Sequence, residues 1–581
     1  MISPSKFQIN RLQIDSFNSL FFDWDWSQLR NLMEVGKINL EKTRSITVRG
    51  IRRIRDFSIL NTSLSDPVIV MIFFLTIGIV FKLSFILTTK YPLNDGGLFY
   101  SIIRELQNNH FSLPFYTHYN QDLIPFVYPP FSFYLGGLLD QFSFLTLLDI
   151  LRFVPFVFNV FTGLGIFVLA RRLGLSKMTA TFSMGAFLLL PESSGWLIMG
   201  GGLTRSVGLF FALCTVISVH RLYEQLNIKH LIIAAFFASL VCLTHLEMAW
   251  LAFFSCILIF LFYGRNWRSI LYSSGLLLIV LILTSPWWVT ILNRFGFDPF
   301  INAIRGNRFD FDFQPGGGLL RLFTRPTNEL FFPIFGVLAI IGMVISLLRK
   351  SFFLPIWTLA IFILQPRGDF SKAILPLSIL ISIGIFQGVA LIIRSHSIQD
   401  NRWSRLFTAL IFSFGLFYAM FSSWMSNRFS LESLTENDIQ AMSWVMDNTP
   451  VTSKFLVVPL RAWSYDLSSE WFPVISQRNS VATAQGYEFV ADNDFPLRLR
   501  ISEDAHNCYL EGDVQCLINL TREYQINFDY IYLPLDHRLD ESGAIDEVKI
   551  RQRFIQALEN NSQFTRIFEG KGALIYYKVR N

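Results

Sequence analysis

Long apolar runs separated by short polar stretches dominate the chain from Pro67 to about residue 425. The first covers 67–89. Others lie near 128–146, 150–170, 178–191, 203–220, 230–245, 247–263, 269–291, 330–348, 352–365, 373–393 and 405–425. A helix needs roughly 20 mostly apolar residues to cross a bilayer, so the pattern predicts a polytopic α-helical membrane protein of about 11–13 spans.

Outside this region the pattern changes. Residues 1–65 form a polar tail ending in Arg49, Arg52, Arg53 and Arg55, expected to be cytoplasmic because basic residues beside a span favour that side. The multi-span domain covers 66–428 and includes a polar, aromatic-rich outer loop over 90–127. Residues 429–581 mix polar and aromatic positions and predict a soluble α/β domain with its own core. Thr435 opens a helix running to about Asn448. Lys454–Pro459, Phe528–Pro534 and Ala573–Val579 read as strands, and Val514–Gln525 and Glu547–Glu559 as helices.

Composition agrees with the pattern. Of 581 residues, 52% are hydrophobic and only 16% charged, with mean hydropathy +0.42; a soluble domain carries about 25% charged residues. The net charge of +6 is mild and sits in the tail and short loops, which reads as a topology signal and excludes a nucleic-acid surface. Arg171, Arg172 and Lys177, then Arg221 and Lys229, Arg265 and Arg268, Arg349 and Lys350, and Arg394, Arg402 and Arg405 recur with two apolar runs between neighbouring clusters. All are therefore expected on the cytoplasmic side, which puts the C-terminal domain outside. A strict count from a cytoplasmic tail puts Arg171 on the wrong side, so the run 128–146 is expected to re-enter or lie along the membrane. The polar N-terminus shows no cleavable signal, and the first apolar run is long enough to stay as an anchor. Cys214, Cys242 and Cys256 read as core residues; spacing leaves open whether Cys508 and Cys516 pair.

Sidedness selects the residues that can carry chemistry, because ionisable groups near the membrane plane pair or do work. Asp95 lies just past the first span, followed by Gly96 and Gly97. Its carboxylate suits general-base work on a hydroxyl, while Asn94-Asp95-Gly96-Gly97 is equally a favoured turn. Tyr128-Pro129-Pro130 opens the next apolar run. Gly200-Gly201-Gly202 precedes Arg205, a combination of free N–H groups and fixed positive charge that suits a phosphate. Thr244, His245 and Glu247 sit at a tight turn; one His and one Glu are too few ligands to define a metal site. Arg367, Asp369 and Lys372 lie at the outer end of another pair of runs, where Arg367 and Lys372 suit a phosphate or pyrophosphate. Lys82 is the clear mid-run charge, expected to snorkel outward.

Taken together, the acidic residue in the first outer loop, the Tyr-Pro-Pro element, the Gly-rich loop with arginine, the Thr-His turn, the many spans and the outer α/β domain resemble the GT-C glycosyltransferases. That superfamily includes protein mannosyltransferases, oligosaccharyltransferase catalytic subunits and aminoarabinose transferases. The C-terminal segments Ala441–Trp444, Asn448-Thr449-Pro450 and Gln485–Glu488 are similar to bacterial members, which implies the plasma membrane. The resemblance implies a sugar donor on a polyprenyl phosphate or pyrophosphate, transfer with inversion on the extracytoplasmic face, and Asp95 as base. Arg205, His245, Glu247, Arg367, Lys372 and Tyr128 are the candidates for substrate binding. The acceptor, whether glycan, lipid or protein, stays open. So does a divalent metal, since Asn94-Asp95-Gly96 replaces the two adjacent acids of better-known branches. A transporter of lipid-linked sugars and a non-catalytic assembly protein are the alternative classes.

Overall fold

The computed structural model describes residues 66–306, 315–364, 371–389, 402–428, 431–490, 494–535 and 545–579. The tail over 1–65 and the candidate Arg367 lie outside the described residues. Among those described, seven helices have the length and composition to cross a bilayer: α1 (Pro67–Thr88), Leu147–Arg172, Gly202–Gln225, Leu246–Tyr263, Trp267–Phe295, Ser371–Gly388 and Leu406–Asn427. Three shorter apolar helices, Ile228–Cys242, Ile334–Leu348 and Phe353–Leu364, complete the apolar set. The expected 11–13 spans counted nearly every apolar run, including several too short to cross. The runs at 128–146 and 178–191 form helices only over Phe131–Phe142 and Lys177–Leu189, of 12 and 13 residues. At 1.5 Å per residue these reach about 18–20 Å, short of a ~30 Å hydrocarbon layer.

The helix Gly202–Gln225, here α2, sets the vertical axis of the site. Arg205 sits in its first turn and Glu224 in its last. Glu224 pairs with Arg172 at 3.1 Å, among the basic residues expected to be cytoplasmic. The 19 residues from Arg205 to Glu224 span about 28 Å, close to the hydrocarbon thickness, so Arg205 lies at the opposite face.

Lys82 does not snorkel. Its ammonium is fully buried and donates to the Ser193 carbonyl (3.0 Å), Ser193 Oγ (2.9 Å) and Ser194 Oγ (3.0 Å). Three donors meet three oxygens, so the side chain gains nothing by reaching for water. Asn159 and Asn427 hold the same turn, donating to the carbonyls of Ser193 (2.6 Å) and Pro191 (3.2 Å). Residues from three helices thus fix the segment that leads into Gly200–Arg205.

The loop expected over 90–127 is ordered: a helix α3 (Gly96–Asn108) and an antiparallel hairpin, β1 (Tyr116–Tyr119) and β2 (Asp122–Pro125). Asn120 and Gln121 join its strands with φ of 55° and 57°, the left-handed pair that a tight two-residue turn requires.

The C-terminal region holds a five-stranded mixed sheet, β4 (Asn479–Ser480), β3 (Lys454–Val457), β5 (Tyr530–Pro534), β7 (Ala573–Lys578) and β6 (Phe564–Glu569), in that spatial order. β3 pairs in parallel with β4 and β5, while β5–β7 and β7–β6 are antiparallel. Both faces are buried, which period-2 alternation makes visible. Leu456, Val458, Ile531 and Leu533 pack with helices Asp494–Glu511, Val514–Glu523 and Ile545–Glu559. Phe455, Val457, Tyr532 and Ile575 face the other way, into an apolar core that runs unbroken to Phe74 and Leu188 of the membrane helices. The helix from Thr435 starts with a capping box, Thr435 against Asp438, and covers this second face. Cys508 and Cys516 are disulfide-bonded, with Cα atoms 5.5 Å apart.

Candidate active site

The turn before α3 is the centre of the site. Asn94 and Asp95 both adopt left-handed backbone, φ 64° and 69°. Such strain is tolerated best by Asn and Asp and persists only where surroundings hold it. Three sets of contacts do so here. Gly200 N–H donates to the Leu93 carbonyl (2.9 Å) and Gly201 N–H to the Asn94 carbonyl (2.5 Å). Gly200 approaches so closely that a Cβ there would lie 2.6 Å from Gly96 N, so glycine is required. The Asn94 and Asp95 side chains converge on Arg205, whose Nη2 lies 2.7 Å from Asn94 Oδ1 and 3.2 Å from Asp95 Oδ2. The guanidinium also lies 5.2 Å from the centre of the Trp196 ring, a cation–π contact.

The third support comes from the C-terminal domain. Helix α4 (Leu467–Ser476) packs on α3 and sets Glu470 against the turn. Asn94 N–H donates to Glu470 Oε2 (2.7 Å) and Gly97 N–H to Oε1 (3.0 Å). Next to it, Trp471 Nε1 donates to the Pro92 carbonyl (3.0 Å), and Tyr119 hydroxyl donates to the Glu470 carbonyl (2.7 Å). Glu470 is fully buried. Burial, with the Asp95 charge adding to it, pushes its carboxyl up to about 8, against the pull of the backbone N–H groups.

The remaining candidates are placed as follows. His245 begins the helix Leu246–Tyr263, and its Cβ packs at the position of Gly208, one turn after Arg205 on α2. Glu247, in the first turn of that helix, pairs with Lys372 at 3.0 Å, and Lys372 is only 1% exposed. The turn at 243–245 also touches the Tyr-Pro-Pro element: Phe131 N–H donates to the Leu243 carbonyl (2.9 Å), and Ser132 Oγ to that of Leu203 (2.9 Å). Tyr128 packs edge-to-face between Phe99 of α3 (5.5 Å) and Phe489 of the C-terminal domain (4.9 Å). So Asp95 and Arg205 are in direct contact and His245 packs beside α2, while Glu247 and Lys372 pair with each other and Tyr128 packs between α3 and the C-terminal domain.

Among the described residues no group of three or more His, Cys, Asp or Glu side chains has the arrangement of a metal site. The charge partner of Asp95 is the Arg205 guanidinium, 3.2 Å away.

Glu470 was missed by sequence reasoning. It lies 376 residues from the turn it holds. Its local signal is an acid set directly against Trp471, Phe472 and Pro473, an apolar neighbourhood that an exposed helix start would not need.

No protein-family model and no curated protein matches the chain. Solved structures match its fold. ArnT from Cupriavidus metallidurans in the apo state is 14% identical, covers 87% of this chain and 97% of its own, and superposes with a TM-score of 0.50. The arabinofuranosyltransferase AftD from Mycobacteria is 14% identical over 88% of this chain, also with a TM-score of 0.50, and this chain spans 40% of its length. The chain has the fold of the GT-C membrane glycosyltransferases.

Proposed function

We propose that the protein transfers a sugar from a polyprenyl-phosphate-linked donor to an acceptor hydroxyl on the extracytoplasmic face, with inversion. The observation that carries this reading is the Asp95–Arg205 pair: a carboxylate and a guanidinium 3.2 Å apart at one end of a bundle with this fold. Arg172, from one of the basic clusters, pairs with Glu224 at the other end of α2, which favours an outward-facing site.

In the proposed reaction Asp95 accepts the proton of the acceptor hydroxyl as its oxygen attacks the anomeric carbon. The bond from that carbon to the phosphate oxygen breaks, and the lipid phosphate leaves with the bonding pair. Arg205 stabilises the charge that gathers on it. A hydroxyl is a poor nucleophile at neutral pH, so a positioned base contributes about 10²–10⁴ in rate. Glu470, Gly200 and Gly201 position Asp95 through the backbone of its neighbours Leu93, Asn94 and Gly97. Lys372 is a second candidate for the phosphate, and on that role it exchanges Glu247 for the ligand. Arg367 keeps the same candidacy from sequence alone.

The test is turnover. Purified protein in nanodiscs, given polyprenyl-phosphate sugars, is expected to release polyprenyl phosphate. Intact donors of every sugar class tried, with the protein folded, would contradict the reading and favour a carrier.

A further inference from the structure

A second site lies in the C-terminal domain. A cavity of about 260 Å³ is lined by Arg461, Trp463, Ser502, Glu503, His506 and Asn507. Glu503, His506 and Asn507 stand three and four positions apart on the helix Asp494–Glu511, hence on one face. Trp463 is held by an edge-to-face contact with Phe495 at 5.7 Å and remains partly exposed. His506 Nδ1 lies 2.9 Å from the Pro459 carbonyl. A carbonyl only accepts, so Nδ1 carries the proton and Nε2 of the neutral ring is an acceptor. Arg461 is ion-paired with Glu432 at the rim of the cavity. The lining therefore offers an aromatic surface, carboxylate and imidazole acceptors, amide donors, and no uncompensated block of one charge. That combination fits a neutral polyhydroxylated ring, whose C–H face lies on an aromatic and whose hydroxyls both donate and accept.

The cavity is joined to the candidate active site by a row of side chains. Trp463 and Tyr465 share one short turn. The Tyr465 ring lies 5.8 Å from that of Trp196, Trp196 carries Arg205, and Arg205 contacts Asp95.

We propose that this cavity is an acceptor-glycan subsite: it binds one sugar of an oligosaccharide acceptor whose end reaches along Tyr465 and Trp196 to Asp95. This rests on the transferase reading and narrows it, naming carbohydrate as the acceptor class.

The experiment is binding to the full chain in nanodiscs, by titration calorimetry, with three neutral probes: mannotriose, arabinofuranotriose and chitotriose. At least one is expected to bind, with Trp463→Ala weakening it about tenfold, the loss of one good aromatic contact of ~1.4 kcal/mol. Glu503→Gln alters an exposed side chain that cannot unfold the domain and is expected to weaken binding about threefold, the loss of part of one hydrogen bond. No binding by any probe, or binding untouched by both substitutions, overturns the subsite. Donor turnover on the same preparation separates the two ideas. Turnover without glycan binding removes the subsite alone; glycan binding without turnover removes the transferase reading and leaves a carbohydrate site.

Discussion

Glu470→Ala removes the acceptor of two backbone N–H groups that hold Asn94 and Gly97. An unsatisfied buried donor costs about 1–3 kcal/mol, so the loss is roughly 2–6 kcal/mol, felt where the C-terminal domain meets the first outer loop. The carboxyl also makes this contact pH-dependent. Its folded value stands at about 8 against an ordinary 4.5, so the folded protein holds the proton more tightly than the unfolded chain. Its contribution is complete below pH 4.5 and is lost as pH rises through about 8. At 1.36 kcal/mol per unit the loss amounts to about 5 kcal/mol across that window. Glu470→Gln keeps the shape and one of the two accepting oxygens and does not titrate. Thermal unfolding in detergent, followed by Trp fluorescence (Trp471 lies on the contact), reads both effects. From pH 5 to pH 9 the wild-type midpoint falls, the Gln variant stays flat, and the Ala variant is low throughout. A Gln variant with the wild-type pH slope, or an Ala variant as stable as wild type, would refute the clamp.

Other consequences follow from the same geometry. Arg205→Ala removes one charged hydrogen-bonding partner of a phosphate, about 1.5–3 kcal/mol, and should raise the donor KM by roughly tenfold to a hundredfold; Arg205→Lys should not restore it, because one ammonium does not combine the Nη2 contacts to Asn94 and Asp95 with the Nη1 contact to the Trp196 carbonyl and the guanidinium's place over the Trp196 ring. Lys372→Met removes the ammonium that pairs with Glu247 and should lower the unfolding midpoint. The double variant Lys372→Met, Glu247→Gln should recover much of that stability, and donor turnover that stays low in it would assign Lys372 to the phosphate. Gly200→Ala forces a methyl against Gly96 and should cost about 1–3 kcal/mol, with kcat falling more than the unfolding midpoint alone explains.

The membrane helices were legible because a bilayer leaves the sequence little choice: each long apolar run became a helix, often within two or three residues of the expected ends, as with Leu147–Arg172 for 150–170. The α/β region was half legible. Strands with β-branched and aromatic runs, such as Tyr530–Pro534, stood out. The helices Leu467–Ser476 and Asp494–Glu511 did not, since one carries Pro473 in its interior and the other mixes charges around its faces. Asp95 and Arg205 were each visible as charges at the ends of apolar runs. Their contact across 110 residues was not, because no local pattern encodes it. Lys82 misled for a related reason: its acceptors, Ser193 and Ser194, are 111 and 112 residues away, and without them an ammonium in an apolar run has only water to seek.

The central claim is that Asp95 is the base. Asp95→Asn keeps the left-handed turn, which Asn adopts as readily, and can still accept from Arg205, but it takes no proton. The measurement is sugar transfer from a polyprenyl-phosphate donor by purified protein in nanodiscs, wild type against Asp95→Asn, with donor binding and unfolding midpoint recorded on the same samples. The account predicts that the variant folds and binds donor like wild type and transfers about 10²–10⁴-fold more slowly. Near-normal transfer by Asp95→Asn would contradict it and return the turn to a purely structural role.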